Sequence, residues 1–109
     1  MPVAQSARLR GVTRVYRCLA LSGMGDALTV KPHPRGVAIK LETSCVHVLL
    51  IIESERHLTE LTHIAGWSII RCPAQTADER AQDVCEWVHE EAMRQAERWM
   101  RDEQPEHWG

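Results

Sequence analysis

Residues 45–52 read Cys45-Val46-His47-Val48-Leu49-Leu50-Ile51-Ile52, and this stretch decides the fold. A strand with one solvated face alternates apolar and polar residues, whereas this one is almost wholly apolar at both parities. Strands covered on both faces have that pattern. The stretch is therefore placed at the centre of a sheet, and its neighbours should lie on either side of it in the sequence.

On the N-terminal side, Val37, Ile39 and Leu41 alternate with Lys40 and Glu42, and Leu28 and Val30 alternate with Thr29 and Lys31. Between them, Pro32-His33-Pro34-Arg35-Gly36 cannot continue a strand, because proline has no amide hydrogen for the ladder. Residues 27–42 are expected to form a β-hairpin. A turn is expected at Ser22-Gly23-Met24-Gly25-Asp26. Before it, Arg8, Arg10, Arg14 and Tyr16 share one parity while Leu9, Thr13 and Val15 share the other. That pattern predicts another strand, over 8–16, with one basic face.

On the C-terminal side, Ser54 can cap a short helix over 55–65 with Leu58, Leu61, Ile64 and Ala65 as its apolar stripe and Gly66 just past its end. Trp67-Ser68-Ile69-Ile70-Arg71-Cys72 then reads as a strand stopped by Pro73. Strand, helix and strand in succession imply a right-handed parallel crossover. Thr76-Ala77-Asp78-Glu79 matches a capping box and opens a helix over 77–103. Its apolar stripe includes Ala81, Val84, Cys85, Val88, Ala92, Ala96, Trp99 and Met100, and Pro105 ends it. Such a helix would be about 40 Å long, more than one small sheet can cover. Its distal half should project or pack on a second subunit.

The expected fold is one α+β domain over residues 1–109. It has a four- to five-stranded mixed sheet, made of N-terminal antiparallel strands followed by a β-α-β crossover. A short helix 55–65 and a long C-terminal helix 77–103 complete it. Length supports one domain with a modest core. Leu, Ile and Val number 24 of the 109 residues, above the level of disordered chains, while Phe is absent, so the core must rest on aliphatic packing. The longest apolar run, residues 48–52, is far too short to span a membrane. With no apolar leader region, and with Cys18, Cys45, Cys72 and Cys85 scattered rather than paired, a cytoplasmic protein with reduced thiols is expected.

Charge is unevenly divided. Residues 1–40 hold seven Lys and Arg against one acid, and residues 41–109 hold six Arg against fourteen acids, although the net charge is only −2. The basic portion supplies a candidate surface for nucleic acid or an acidic partner: Arg8, Arg10, Arg14, Tyr16, Lys31, Arg35 and Lys40. The acidic portion concentrates Glu86, Glu90, Glu91 and Glu97 on the polar side of the last helix, where they could meet a basic partner protein. Trp87, Met93, Trp99 and Met100 on the same helix are candidate partner or dimer contacts. Cys85-x-x-x-His89 puts a thiol and an imidazole one turn apart. No spacing supplies two further ligands, so no metal site is assigned.

Gly25-Asp26-Ala27-Leu28, the hairpin carrying Ile39-Lys40, and the strand-helix-strand ending in Gly66-Trp67-Ser68-Ile69-Ile70 together resemble the ββ-then-αβ order of the PD-(D/E)xK endonuclease core. The resemblance implies Mg²⁺ held by Asp26 and by an acid two residues before Lys40. Ala38 stands at that second position, so the resemblance implies an inactive relative. No catalytic residue and no cofactor is assigned. The expected function is that of a small intracellular, non-enzymatic protein that binds another protein, forms a homodimer through its long helix, and resembles in type the inhibitors and regulators of phage and mobile-element anti-defence systems. A nucleic-acid-binding module is the alternative.

Overall fold

The computed structural model describes residues 3–103. The elements, in order, are helix α1 (Val3–Leu19), strands β1 (Leu28–His33), β2 (Gly36–Glu42), β3 (His47–Glu53), β4 (Glu60–Ile64) and β5 (Trp67–Pro73), and helices α2 (Ala74–Glu79) and α3 (Ala81–Glu103). The fold is α+β, with a five-stranded mixed sheet ordered β1-β2-β3-β5-β4. The stretch 45–52 supplies the central strand, as its composition predicts. All neighbouring strands pair antiparallel except β3 and β5, which are parallel.

The expected hairpin is present, closed by Pro34 and Arg35 between His33 and Gly36. β1 runs through Pro32 rather than stopping at it, because β1 is an edge strand where a missing amide hydrogen costs no ladder bond. Gly36 is required by packing. A Cβ there would stand 1.9 Å from the Ile52 carbonyl oxygen on β3.

Four expectations are corrected. Residues 8–16 form part of α1, not a strand. Val12, Val15, Tyr16 and Leu19 recur at helical spacing toward the core, and Val15 and Leu19 are fully buried, while Arg10, Arg14 and Arg17 recur at the same spacing outside. Gly11 lets α1 lie against α2, since a Cβ on it would reach within 2.8 Å of the Ala77 Cβ. The α1 backbone continues into a tight turn and reverses at Gly23, whose φ of 89° suits glycine.

The helix expected over 55–65 is absent, and β4 stands in its place. Leu58, Leu61 and Ile64 stay exposed, so a helical stripe would have had nothing to cover. Ala65 and Gly66, with φ of 50° and 86°, make the two-residue turn that folds β4 straight back on β5. The parallel pair therefore exists, but the chain crosses between its members through an edge strand.

The helix expected over 77–103 is divided. α2 ends at Glu79, Arg80 adopts a non-helical conformation, and α3 begins at Ala81. The capping box does not form. Thr76 lies inside α2, its carbonyl accepting the Arg80 amide at 2.7 Å, and the Glu79 carboxylate accepts from the Gln75 side chain at 2.9 Å. Past Ala96 every residue through Asp102 is exposed, so the distal end of α3 projects from the sheet as its length implies.

The core lies on one face. Ile39 and Leu41 of β2, Val48, Leu50 and Ile52 of β3, and Ile70 and Cys72 of β5 form one cluster with Val15 and Leu19 of α1, Ala77 of α2, and Val84 and Val88 of α3. Each large aliphatic side chain buried there contributes about 1.5–3 kcal/mol. The other face carries Lys31, Ala38, Lys40, Leu49, Ile51, Ile69 and Arg71, none of which joins that cluster. The expectation that β3 is covered on both faces is thus corrected. Among the described residues, the helices cover one side only.

Candidate functional site

The uncovered sheet face is built by alternation. Register places Ala38, Ile51 and Arg71 in one row across β2, β3 and β5, and Lys40, Leu49 and Ile69 in the next. Thr62 of β4 extends the second row and Ile64, 56% exposed, stands beyond it beside Trp67. Leu49, Ile69 and Trp67 are half-buried, and Ile51 is buried. Trp67 meets His47 edge-on, with ring centroids 5.1 Å apart. The result is an aliphatic strip with polar borders. On the β1 and β2 side, Lys40 pairs with Glu42 at 3.3 Å. Lys40, within hydrogen-bonding reach and carrying the same charge, pulls the Lys31 ammonium below its ordinary value. At the other border Arg71 clamps Glu53 at 2.5 and 3.1 Å. That guanidinium holds the Glu53 carboxyl below the usual carboxylate range.

The basic residues expected to share one sheet face are separated into three groups. Arg10 and Arg14 lie on α1, where both pair with Asp78 of α2 at 2.9 and 3.5 Å. Arg14 also donates to the Asp78 carbonyl at 2.9 Å. Part of the sequence-level charge division is therefore answered inside the fold. Tyr16 packs toward the core instead of standing among the arginines. Lys31 and Lys40 stay on the uncovered sheet face. Arg8 and Arg35 meet at a cleft of about 690 Å³ beside the end of β3, together with Ser54 and Arg56. Sequence reasoning missed this cleft. Its signal was the abrupt change from Ile51-Ile52 to Glu53-Ser54-Glu55-Arg56-His57, which a short helix seemed to absorb.

Glu86, Glu90 and Glu97 are exposed on α3 as expected, but Glu91 is buried, which corrects its place on a solvated acidic face. Glu91 is one position from the core stripe and faces the sheet. Its carboxylate accepts from the Ser68 hydroxyl at 2.9 Å, lies 2.9 Å from His63 Nε2 and is paired with Arg94. The Gln95 amide bridges the Ser68 hydroxyl, at 2.8 Å, and the His47 backbone. Ser, His and Glu together invite comparison with a hydrolase triad, but a triad needs the imidazole between hydroxyl and carboxylate. Here the carboxylate is central and Ser68 is buried, so the group is a polar tie between α3 and the sheet.

Trp87 packs on the core with the Arg80 guanidinium 5.4 Å from its ring centroid, whereas Met93, Trp99 and Met100 are exposed along α3. Cys85 is buried while His89 is exposed, and among the described residues no three His, Cys, Asp or Glu side chains gather as a metal would require. Burial pushes the Cys85 thiol up, and the Cys72 thiol up to about 12. The helix that the nuclease-like order required between its last two strands is replaced by β4, and Lys40 has Lys31 and Glu42 as neighbours. Among the described residues no helix is long and apolar enough to cross a membrane. Comparisons with protein-family models, curated proteins and solved structures find no match.

Proposed function

We propose that this protein acts by binding another protein on the uncovered face of its sheet, without catalysis of its own. The observation that carries this reading is the aliphatic strip of half-buried Leu49 and Ile69 and exposed Ile64, with Ile51 buried among them, which no described helix covers. Contiguous exposed apolar surface rimmed by polar groups is characteristic of docking surfaces. Lys31 and Lys40 at one border favour a partner with an aliphatic centre and carboxylates beside those lysines. The exposed Met93, Trp99 and Met100 on the projecting end of α3 offer a separate contact for a second copy of the chain. A role as a small intracellular inhibitor or regulator of the anti-defence type fits a protein that works by occupancy alone.

Leu49→Glu with Ile69→Glu places two charges on the strip without touching the core. Quantitative pull-down from the native host should recover a partner with the wild-type chain and lose it with this variant, while the two circular dichroism spectra match. Equal recovery by both would refute the assignment. The nucleic-acid alternative retains Lys31 and Lys40, while Arg10 and Arg14 are partly offset by the single carboxylate of Asp78. It predicts a gel shift at about 50 mM salt that weakens steeply with added salt.

A further inference from the structure

The cleft at the end of β3 lies outside the docking strip and has a different chemistry. Arg8 arrives from α1, Arg35 from the β1–β2 turn, and Arg56 and His57 from the segment after β3. These segments are far apart in sequence, so only the fold brings their cations together. The backbone around them is fixed. The Ser54 amide donates to the Arg35 carbonyl at 3.2 Å, and the Arg35 amide donates to His33 Nδ1 at 3.2 Å. Arg8 donates to the Ser54 hydroxyl at 3.2 Å.

What matters is which charges are already answered. Glu53 is committed through both oxygens to Arg71, and Arg56 to the Leu58 carbonyl at 2.7 Å and to Glu60 at 2.9 Å. Among the described residues, neither Arg8 nor Arg35 has a carboxylate within ion-pair distance, and the Arg8 Nε is buried with no partner. The remaining carboxylate of the lining, Glu55, is exposed, where water screens it. With Arg8 and Arg35 set against Glu55, the cleft keeps one positive charge in excess, although Arg35 also acts on the Glu53 carboxylate. A cavity of about 690 Å³ falls within the common range for small-molecule sites, roughly 300–1,000 Å³.

We propose that this cleft binds the phosphate group of a small phosphorylated ligand, with Arg8 and Arg35 as its two forks. A phosphate monoester offers up to two negative charges and three acceptor oxygens, which suits two planar donors better than a carboxylate does.

The test is an amide chemical-shift titration of the full chain with inorganic phosphate, adenosine monophosphate and adenosine in parallel. Saturable shifts at Arg35, Gly36 and residues 54–57 are expected with phosphate or the nucleotide and not with the nucleoside. Tighter binding of the nucleotide would identify an organic phosphate as the ligand, and equal binding the free anion. Arg35→Gln, on an exposed turn, should weaken the affinity about tenfold, and Arg8→Gln with Arg35→Gln should abolish saturation. Leu49→Glu with Ile69→Glu should leave the titration unchanged, which separates this site from the docking strip. Absence of saturable shifts with both phosphates, equal shifts with adenosine, or unaltered affinity in Arg35→Gln would overturn the proposal.

Discussion

Leu49 and Leu50 are adjacent, chemically identical and on opposite faces of the central strand, and truncating each in turn tests the one-sided core directly. Leu50 is 1% exposed within the cluster that α1 and α3 close. Leu50→Ala removes three buried carbons and leaves a cavity between sheet and helices, at a cost of about 3–5 kcal/mol. Leu49 is half-buried and lies between Lys40 and Ile69 with no described helix above it, so Leu49→Ala leaves no enclosed cavity and should cost about 1 kcal/mol. At roughly 4 °C or more per kcal/mol for a chain of this size, the melting temperatures should fall by over about 12 °C and by about 4 °C respectively. Urea unfolding followed by circular dichroism measures both, with equal m-values confirming comparable native states. Equal losses from the two substitutions would refute a sheet covered on one side. A Leu49→Ala loss that grows with protein concentration would show that a second copy covers the strip in solution.

Gly36→Ala should destabilise the fold by at least about 1–3 kcal/mol, because the added methyl must displace the β3 backbone at the Ile52 carbonyl; a urea midpoint unchanged from wild type would contradict the close approach. Glu91→Ala should cost about 1–3 kcal/mol and deprotect the Ser68 and His47 amides in hydrogen exchange, since it leaves the buried Ser68 hydroxyl without its acceptor while Arg94 keeps Glu90. The Glu53 carboxyl, held low by Arg71, contributes stability that is present above the ordinary carboxylate pKa and is lost as pH falls through the lowered value. Arg71→Met should therefore flatten the acid limb of the stability curve, and a superimposable limb would exclude the clamp. With its pKa pushed up to about 12, the Cys72 thiol should resist alkylation at pH 8 in the folded protein while the half-buried Cys18 and Cys45 react, as mass mapping of the labelled peptides would show.

The parts of the fold that could be read from sequence were those where one periodicity has no competitor. The doubly apolar run around Leu50 marks the sheet centre, and the Leu28-to-Leu41 alternation marks its hairpin. Residues 8–16 failed because nine residues fit both periods. Arginines at 10 and 14 satisfy strand parity and helical spacing alike, and the deciding residue, Leu19, lies beyond that window. Residues 55–65 failed for the opposite reason. Leu58, Leu61 and Ile64 keep helical spacing without a surface to bury against, and the short Ala65-Gly66 turn commits them to a hairpin instead. That the helices cover only one side of the core strands was not legible, because Leu49 and Ile69 are as apolar as Leu50 and Ile70 and composition alone does not say which face a helix will cover. The cleft was invisible for a related reason, since Arg8 and Arg35 become neighbours only once α1 is a helix.

The placement of β5 between β3 and β4 sets the order in which the sheet can assemble. β1, β2 and β3 form a meander whose partners are close in sequence, and β4 with β5 forms a tight hairpin of its own. The parallel β3–β5 seam joins these two local units, with the docking of α1 on α2 reinforcing it from the covered side. The slow step of folding should therefore be closure of that seam, which joins strands that are not neighbours in sequence. Arg8 and Arg35 belong to the first half, and Arg56 and His57 to the tether between the halves. An anion held by Arg8 and Arg35 beside that tether would tie α1 to the β1–β2 turn, so occupancy of the cleft would be felt as slower unfolding of the whole protein.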